Sequence, residues 1–198
     1  MEKIHNSTKD SILKLLLSNK GREFTIRAIS KSISIDYKTV YLTIKQLAKA
    51  SIVITKKAGQ TTLCSINQKE FNADIFRAEL IRREEALTNK NIYVLYRRIK
   101  EDTKEPFFAL LLFGSYARGK PRKGSDIDIM LITNSQAVRE EMKHIVSLLP
   151  LKIHLADFSS EEFLSMLKTT EFNVGREAFN NNIILFGIEN YYSLMQNA

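Results

Sequence analysis

Two carboxylates separated by a single apolar residue, Asp126 and Asp128, stand at the head of Ile127 to Thr133, a run that reads as a strand. Side chains alternate along a strand, so the two acids share one face while Ile127, Ile129 and Leu131 point into a core. Their Cα atoms are then ~7 Å apart, close enough for both to hold hard cations such as Mg²⁺. Upstream, the apolar run Phe107 to Phe113 ends abruptly in Gly114-Ser115, which reads as a buried strand turning into a helix. A glycine there lets a phosphate approach the backbone, and the free N–H groups of the following helix point at it. Between the two parts lie Arg118, Lys120, Arg122 and Lys123, a source of positive charge. Carboxylates for Mg²⁺, backbone donors for phosphates and a cationic clamp are the parts that metal-assisted phosphoryl transfer requires.

These residues belong to a chain of 198 residues with 44% apolar and 26% charged residues, the makeup of a globular protein with room for one or two cores. No apolar run approaches the ~20 residues needed to cross a bilayer, and the first residues carry no apolar signal region. A single cysteine, Cys64, excludes an internal disulfide and a Cys/His zinc cluster. The expected compartment is a reducing cytoplasm, with no membrane partner. The net charge of +8 is unevenly placed: residues 1–66 hold 12 Lys/Arg against 4 Asp/Glu, and residues 67–198 hold 18 against 18. A basic surface confined to the first third points to nucleic acid contact there, with a merely solvated basic face as the alternative.

In that first third, Ile12, Leu15, Leu16 and Leu17 suit a short amphipathic helix, and a second helix starts at Thr25 with Ile26, Ile29 and Ile33. Asp36 is an N-cap for a third helix, in which Val40, Ile44 and Leu47 form the buried stripe. Tyr37, Lys38, Thr39, Tyr41 and Lys45 then face solvent. Ile52 to Lys57 and Thr61 to Ile66 alternate as two strands around a Gly59 turn. Three helices followed by a basic hairpin resemble the winged helix-turn-helix domains of prokaryotic transcriptional regulators. The resemblance implies that the third helix enters the major groove of double-stranded DNA while the hairpin reaches the phosphates. It makes Tyr37, Lys38, Thr39, Tyr41, Lys45, Lys56 and Lys57 the DNA contacts; a winged helix used only between proteins is the other reading. Gln68 to Lys104 lacks Gly and Pro and suits one or two helices broken near Thr88 to Asn91. Such a connector either packs on its own chain or pairs with its copy in a homodimer.

The motif GSYARG, followed by SDIDI with ten residues between Gly114-Ser115 and Asp126, resembles the nucleotidyltransferases of the DNA polymerase β superfamily, and its form the minimal nucleotidyltransferases found as antitoxins. By that resemblance Gly114, Ser115, Arg118, Lys123 and Ser125 bind the nucleotide, Asp126 and Asp128 are catalytic metal ligands, and the cofactors are Mg²⁺ and ATP or another NTP. The implied activity is transfer of a nucleoside monophosphate to a hydroxyl, with a HEPN toxin as acceptor and partner. Family members usually add a third carboxylate from a later strand. Here that strand is Leu151 to Phe158, where Leu151, Ile153 and Leu155 take the apolar face and Lys152, His154 and Ala156 the open one. The acidic position therefore falls on His154, a candidate base or a residue with no role, while Asp157 has the wrong parity unless a bulge intervenes. A DNA-binding regulator whose nucleotidyltransferase fold binds nucleotide or a partner without turnover is the alternative function.

The expected architecture is α/β with a mixed sheet: a winged helix over 1–66, a helical connector over 67–104 and a nucleotidyltransferase domain over 105–198. Helices are expected over Ser135 to Leu149, after a Ser159–Glu162 capping box, and over Phe172 to Asn182. Ile183 to Phe186 suits a last strand or core packing, and Tyr191-Tyr192 reads as packing.

Overall fold

The computed structural model describes residues 7–105, 107–122 and 124–196 of the chain. It divides into two compact units, residues 1–81 and 82–198. The fold is mixed α/β, with a small sheet in each unit.

The first unit opens with α1 (Thr8–Leu17), whose start is fixed by a reciprocal cap. The Asp10 N–H donates to the Ser7 hydroxyl at 3.1 Å, and the Ser7 N–H donates to the Asp10 carboxylate at 3.0 Å. Burial pushes the Asp10 carboxyl up, but the Ser7 hydrogen bonds and the Arg77 guanidinium outweigh it and hold the group below its usual range. Next come β1 (Phe24–Thr25), α2 (Ile26–Ile33) capped by the Thr25 hydroxyl, and α3 (Tyr37–Lys49) capped by Asp36. The expected stripe of α3 is the buried one: Val40, Ile44 and Leu47 are at most 2% exposed. β2 (Val53–Ala58) and β3 (Thr61–Ile66) form the expected hairpin. β1, too short to be read from sequence, joins β3 on its other side, giving the antiparallel order β1-β3-β2 with β2 at an edge.

The unit boundary falls within α4 (Ala73–Ala86). In the first unit α4 is tied to α1 by Arg77–Asp10 (3.2 Å) and Lys9–Asp74 (3.0 Å), and it carries Glu79, buried with Lys20 at 3.6 Å. The helix breaks where expected, because Asn89 caps α5 (Lys90–Asp102) by accepting from the N–H groups of Asn91 and Ile92.

The second unit is built on β4 (Ala109–Phe113), β5 (Ile127–Ile132), β6 (Ile153–Phe158) and β7 (Ile183–Phe186). Their order is β6-β5-β4-β7; β5 and β6 are parallel, and the other pairs antiparallel. β4 is buried along its whole length, as a central strand covered on both faces must be. Ile127, Ile129 and Leu131 pack with Leu110 and Leu112 against Ile92, Leu95 and Ile99 of α5 and Val138, Met142 and Ile145 of α7 (Gln136–Ser147). The short α6 (Gly114–Ala117) follows β4 directly. The Ser159–Glu162 capping box starts α8 (Ser160–Lys168) as expected, and α9 (Val174–Asn180) follows. The helix anticipated from Phe172 begins two residues later because Asn173 is its cap, accepting from the Arg176 N–H at 2.9 Å. A last helix, α10 (Ile188–Gln196), which has no clear signal in the sequence, buries Tyr191 and Tyr192, the pair expected to serve in packing. Among the described residues no helix is long and apolar enough to cross a membrane.

Candidate functional site

The antiparallel register of β4 and β5 sets Phe113 opposite Asp128, so the chain enters Gly114 beside that acid. Gly114 is buried and has φ +66°. A Cβ there would collide with the Asp128 carboxylate, lying 2.9 Å from its Cγ. The glycine is thus required twice: for a left-handed turn and for a side chain that occupies the space a Cβ would fill. The first N–H groups of α6 have no acceptor within so short a helix, and no side chain caps it.

The parallel register of β5 and β6 sets Asp128 opposite His154. Their side chains approach to 3.5 Å between His154 Nδ1 and Asp128 Oδ1, with the imidazole 64% exposed and the carboxylate 27%. The alternation anticipated for β6 is present: Leu151, Ile153 and Leu155 pack on the core, and His154 is exposed. The register runs unbroken from Ile127↔Ile153 to Ile132↔Phe158, so no bulge rescues Asp157. Asp157 lies instead between the cations of α7, 3.2 Å from Lys143 and 3.7 Å from Arg139.

Asp126 is exposed, one residue before β5 begins. The Ile127 N–H donates to the Lys152 carbonyl at 2.8 Å, which holds this entry to the strand in register. With Ile127 buried between them, the two acids lie on the side away from it. Ser125 closes the preceding turn: its hydroxyl accepts from the Arg122 N–H at 2.9 Å, and its own N–H donates to the Arg122 carbonyl. Ser115 lies in α6, and its carbonyl accepts from the Lys120 N–H. Arg118 ends α6 and donates to the Glu177 carboxylate of α9 at 2.9 Å. Lys123 lies outside the described residues.

Gly114, Ser115, Asp126, Asp128 and His154 therefore meet at one end of the sheet, with Arg118 at its margin. The donor set suits Mg²⁺: two hard carboxylates, one exposed and one half-buried beside a residue without a side chain. Among the described residues no three His, Cys, Asp or Glu side chains form an all-protein cage. Mg²⁺ does not need one, since it is commonly held by one or two carboxylates with water and substrate phosphates. Glu177 carries no signal in the sequence, since it lies 59 positions from Arg118 with no motif around it.

The candidate DNA contacts lie in the first unit, and all are exposed: Tyr37, Lys38, Thr39, Tyr41 and Lys45 on α3, and Lys56 and Lys57 on the edge strand β2. Tyr37 and Tyr41 stack with ring centroids 6.2 Å apart and 16° between planes, and Lys45 Nζ lies 5.3 Å above the Tyr41 ring. The Thr39 N–H is committed to the Asp36 carboxylate at 2.9 Å, and hydrogen bonding from Thr39 holds that carboxyl below its usual range.

Residues 96–178 match the family model of the nucleotidyltransferase domain. That span contains Gly114, Ser115, Asp126, Asp128, His154 and Glu177, and it supports a nucleotidyltransferase type of function for the chain. No curated protein matches. Among solved structures, a toxin-antitoxin with AMP-PNP is similar at 21% identity, covering 55% of this chain and 82% of that one, with a TM-score of 0.35. A mutant toxin-antitoxin MntA-HpeT is similar at 20% identity over the same shares, with a TM-score of 0.33. TrmBL2, an archaeal chromatin protein with a described mode of DNA binding, is similar at 11% identity, covering 86% of this chain and 69% of that one, with a TM-score of 0.27.

Proposed function

We propose that this protein transfers a nucleoside monophosphate from Mg-NTP, with ATP as the donor, to a hydroxyl group of a protein acceptor, the hydroxyl oxygen bonding to the α-phosphorus as pyrophosphate leaves. The observation that carries the reading is the convergence of Gly114, Asp128 and His154 through two strand registers, within a segment that matches the nucleotidyltransferase domain. The open N–H groups at the start of α6 would bind the phosphates, and Arg118 would offset their charge. Asp126 and Asp128 would hold Mg²⁺, whose chemistry there is neutralisation of charge on the triphosphate. With Nδ1 turned to Asp128, His154 would accept the proton of the attacking hydroxyl at Nε2. The form of GSYARG and SDIDI supports a HEPN toxin as the acceptor and an antitoxin role in the cytoplasm. The first unit would act as a winged helix, binding double-stranded DNA through Lys38, Lys45, Lys56 and Lys57 and the Tyr37–Tyr41 stack, so that the protein also regulates transcription.

A second reading is favoured by His154 itself, which stands where a carboxylate is expected. With one negative charge fewer, the site would bind nucleotide but turn over weakly, leaving a DNA-binding regulator.

Calorimetry with ATP tests the shared premise. Two neighbouring carboxylates repel until a cation neutralises them, so binding should require Mg²⁺ and be lost in Asp126→Asn. Equal binding by wild type and Asp126→Asn, with and without Mg²⁺, would refute both readings. Transfer of labelled nucleotide to the acceptor then separates them.

A further inference from the structure

Arg118 is the C-cap of α6, directly after the turn proposed to take the phosphates; its backbone N–H stays in that turn, donating to the Gly114 carbonyl, yet its guanidinium leads away from it to Glu177. Among the described residues Nη1 alone of the guanidinium nitrogens is engaged, at 2.9 Å, so most of the fork remains available to a second anion. The partner stands on a fixed platform. Asn173 caps α9 and also donates to the Met166 carbonyl of α8 at 3.0 Å. Gly175 lies so close to α8 that a Cβ would come within 2.8 Å of the Met166 Cβ. Ala178, one residue beyond Glu177, is fully buried. Glu177 also lies in the first turn of α9, where a negative charge is favoured.

A long arginine with no fixed partner has many rotamers, and the carboxylates of Asp126 and Asp128 at the same end of the sheet are a competing destination for it. Pairing with them would cancel the charge that takes up Mg²⁺ and withdraw the guanidinium from the phosphates. A carboxylate on a docked helix prevents this while using one donor of five. As an exposed ion pair, Arg118–Glu177 adds little to stability, the side chains being 44% and 28% exposed.

We propose that Glu177 is a positioning residue, holding Arg118 in the pose that meets the phosphates of the bound nucleotide. The inference rests on the nucleotide-binding reading of the site and adds to it a residue outside the motif.

The test is calorimetric titration of Mg-ATP into the full chain, as wild type, Asp128→Asn, Arg118→Ala, Glu177→Ala, Glu177→Gln and Arg118→Ala/Glu177→Ala. Glu177→Ala should weaken binding about two- to ten-fold, the span set by ordering one rotamer-rich side chain. Glu177→Gln keeps an acceptor oxygen and should stay within about two-fold of wild type. In the Arg118→Ala background, removing Glu177 should change nothing further. Unchanged or tighter binding by Glu177→Ala overturns the proposal, as does an equal loss in both backgrounds, which marks a structural effect. If wild type does not bind, or Asp128→Asn binds as wild type does, the underlying reading falls and the proposal with it. If wild type binds and Asp128→Asn does not, while Glu177→Ala binds normally, only the proposal falls.

Discussion

Replacing Gly114 by alanine probes the join between the phosphate turn and the acid beside it. Two costs add. An L-residue at φ +66° carries backbone strain of about 1–2 kcal/mol. The new methyl also meets the Asp128 carboxylate, 2.9 Å from its Cγ and 3.2 Å from its Cβ, so the side chain or strand must shift. Overpacking of this kind costs about 1–3 kcal/mol. Gly119 is the internal control, because it has the same φ of +66° but nothing within 4 Å of its Cβ position. Gly119→Ala should therefore show the strain alone, and Gly114→Ala should be less stable than it by about 1–3 kcal/mol. The assay is urea denaturation of the full chain, followed by circular dichroism through the transition of its second unit. In an Asp128→Ala background most of the excess should vanish, since the colliding carboxylate is gone and only the Cβ contact at 3.2 Å remains. If the two alanine variants are equally stable, or the excess persists without Asp128, the close approach is not what requires glycine there.

Three further outcomes follow from other parts of the molecule. If His154 is the base at the third acidic position, His154→Ala should lower transfer by roughly 10²–10⁴-fold while His154→Asp preserves or raises it; abolition by His154→Asp would make the imidazole itself essential. Each of Lys38→Ala, Lys45→Ala, Lys56→Ala and Lys57→Ala should weaken duplex binding and lower the salt slope by about one unit, whereas binding by residues 67–198 alone would move the DNA site elsewhere. Asp10, held below its usual range when folded, stabilises the native state above its unfolded value of ~3.9 and loses that contribution as the pH falls through the folded one. Asp10→Asn should accordingly destabilise the protein at pH 7 but progressively less as the pH falls below about 4; a penalty independent of pH would show that charge is not the cause.

The features that sequence alone determined are those whose physics acts over a few residues. The Asp36 cap, the Val40/Ile44/Leu47 stripe, the Asn89 break and the Ser159–Glu162 box each depend on groups at most one or two helical turns apart, so their spacing is their signal. Period-two alternation likewise decided that Asp126 and Asp128 share a side, that His154 faces outward and that Asp157 does not. Elements lacking a local signal were invisible: β1 exists only because two residues pair with Cys64 and Leu63, and α10 buries Tyr191 and Tyr192, which have weak helix propensity of their own.

Tertiary structure decided which elements are neighbours. Sequence put His154 on an open face but could not put it across from Asp128, because that depends on β5 and β6 being parallel and in register. It marked Gly114 as a turn residue, but the need for a missing side chain arises only when Asp128 arrives on the adjoining strand. Arg118 and Glu177 meet because α9 docks on α8 and against β4, bringing together two surface charges 59 positions apart. Packing and strand pairing are non-local, and each accepts many partners of the right polarity and size, so a chain read residue by residue names the groups that can do chemistry before it can say which of them stand face to face.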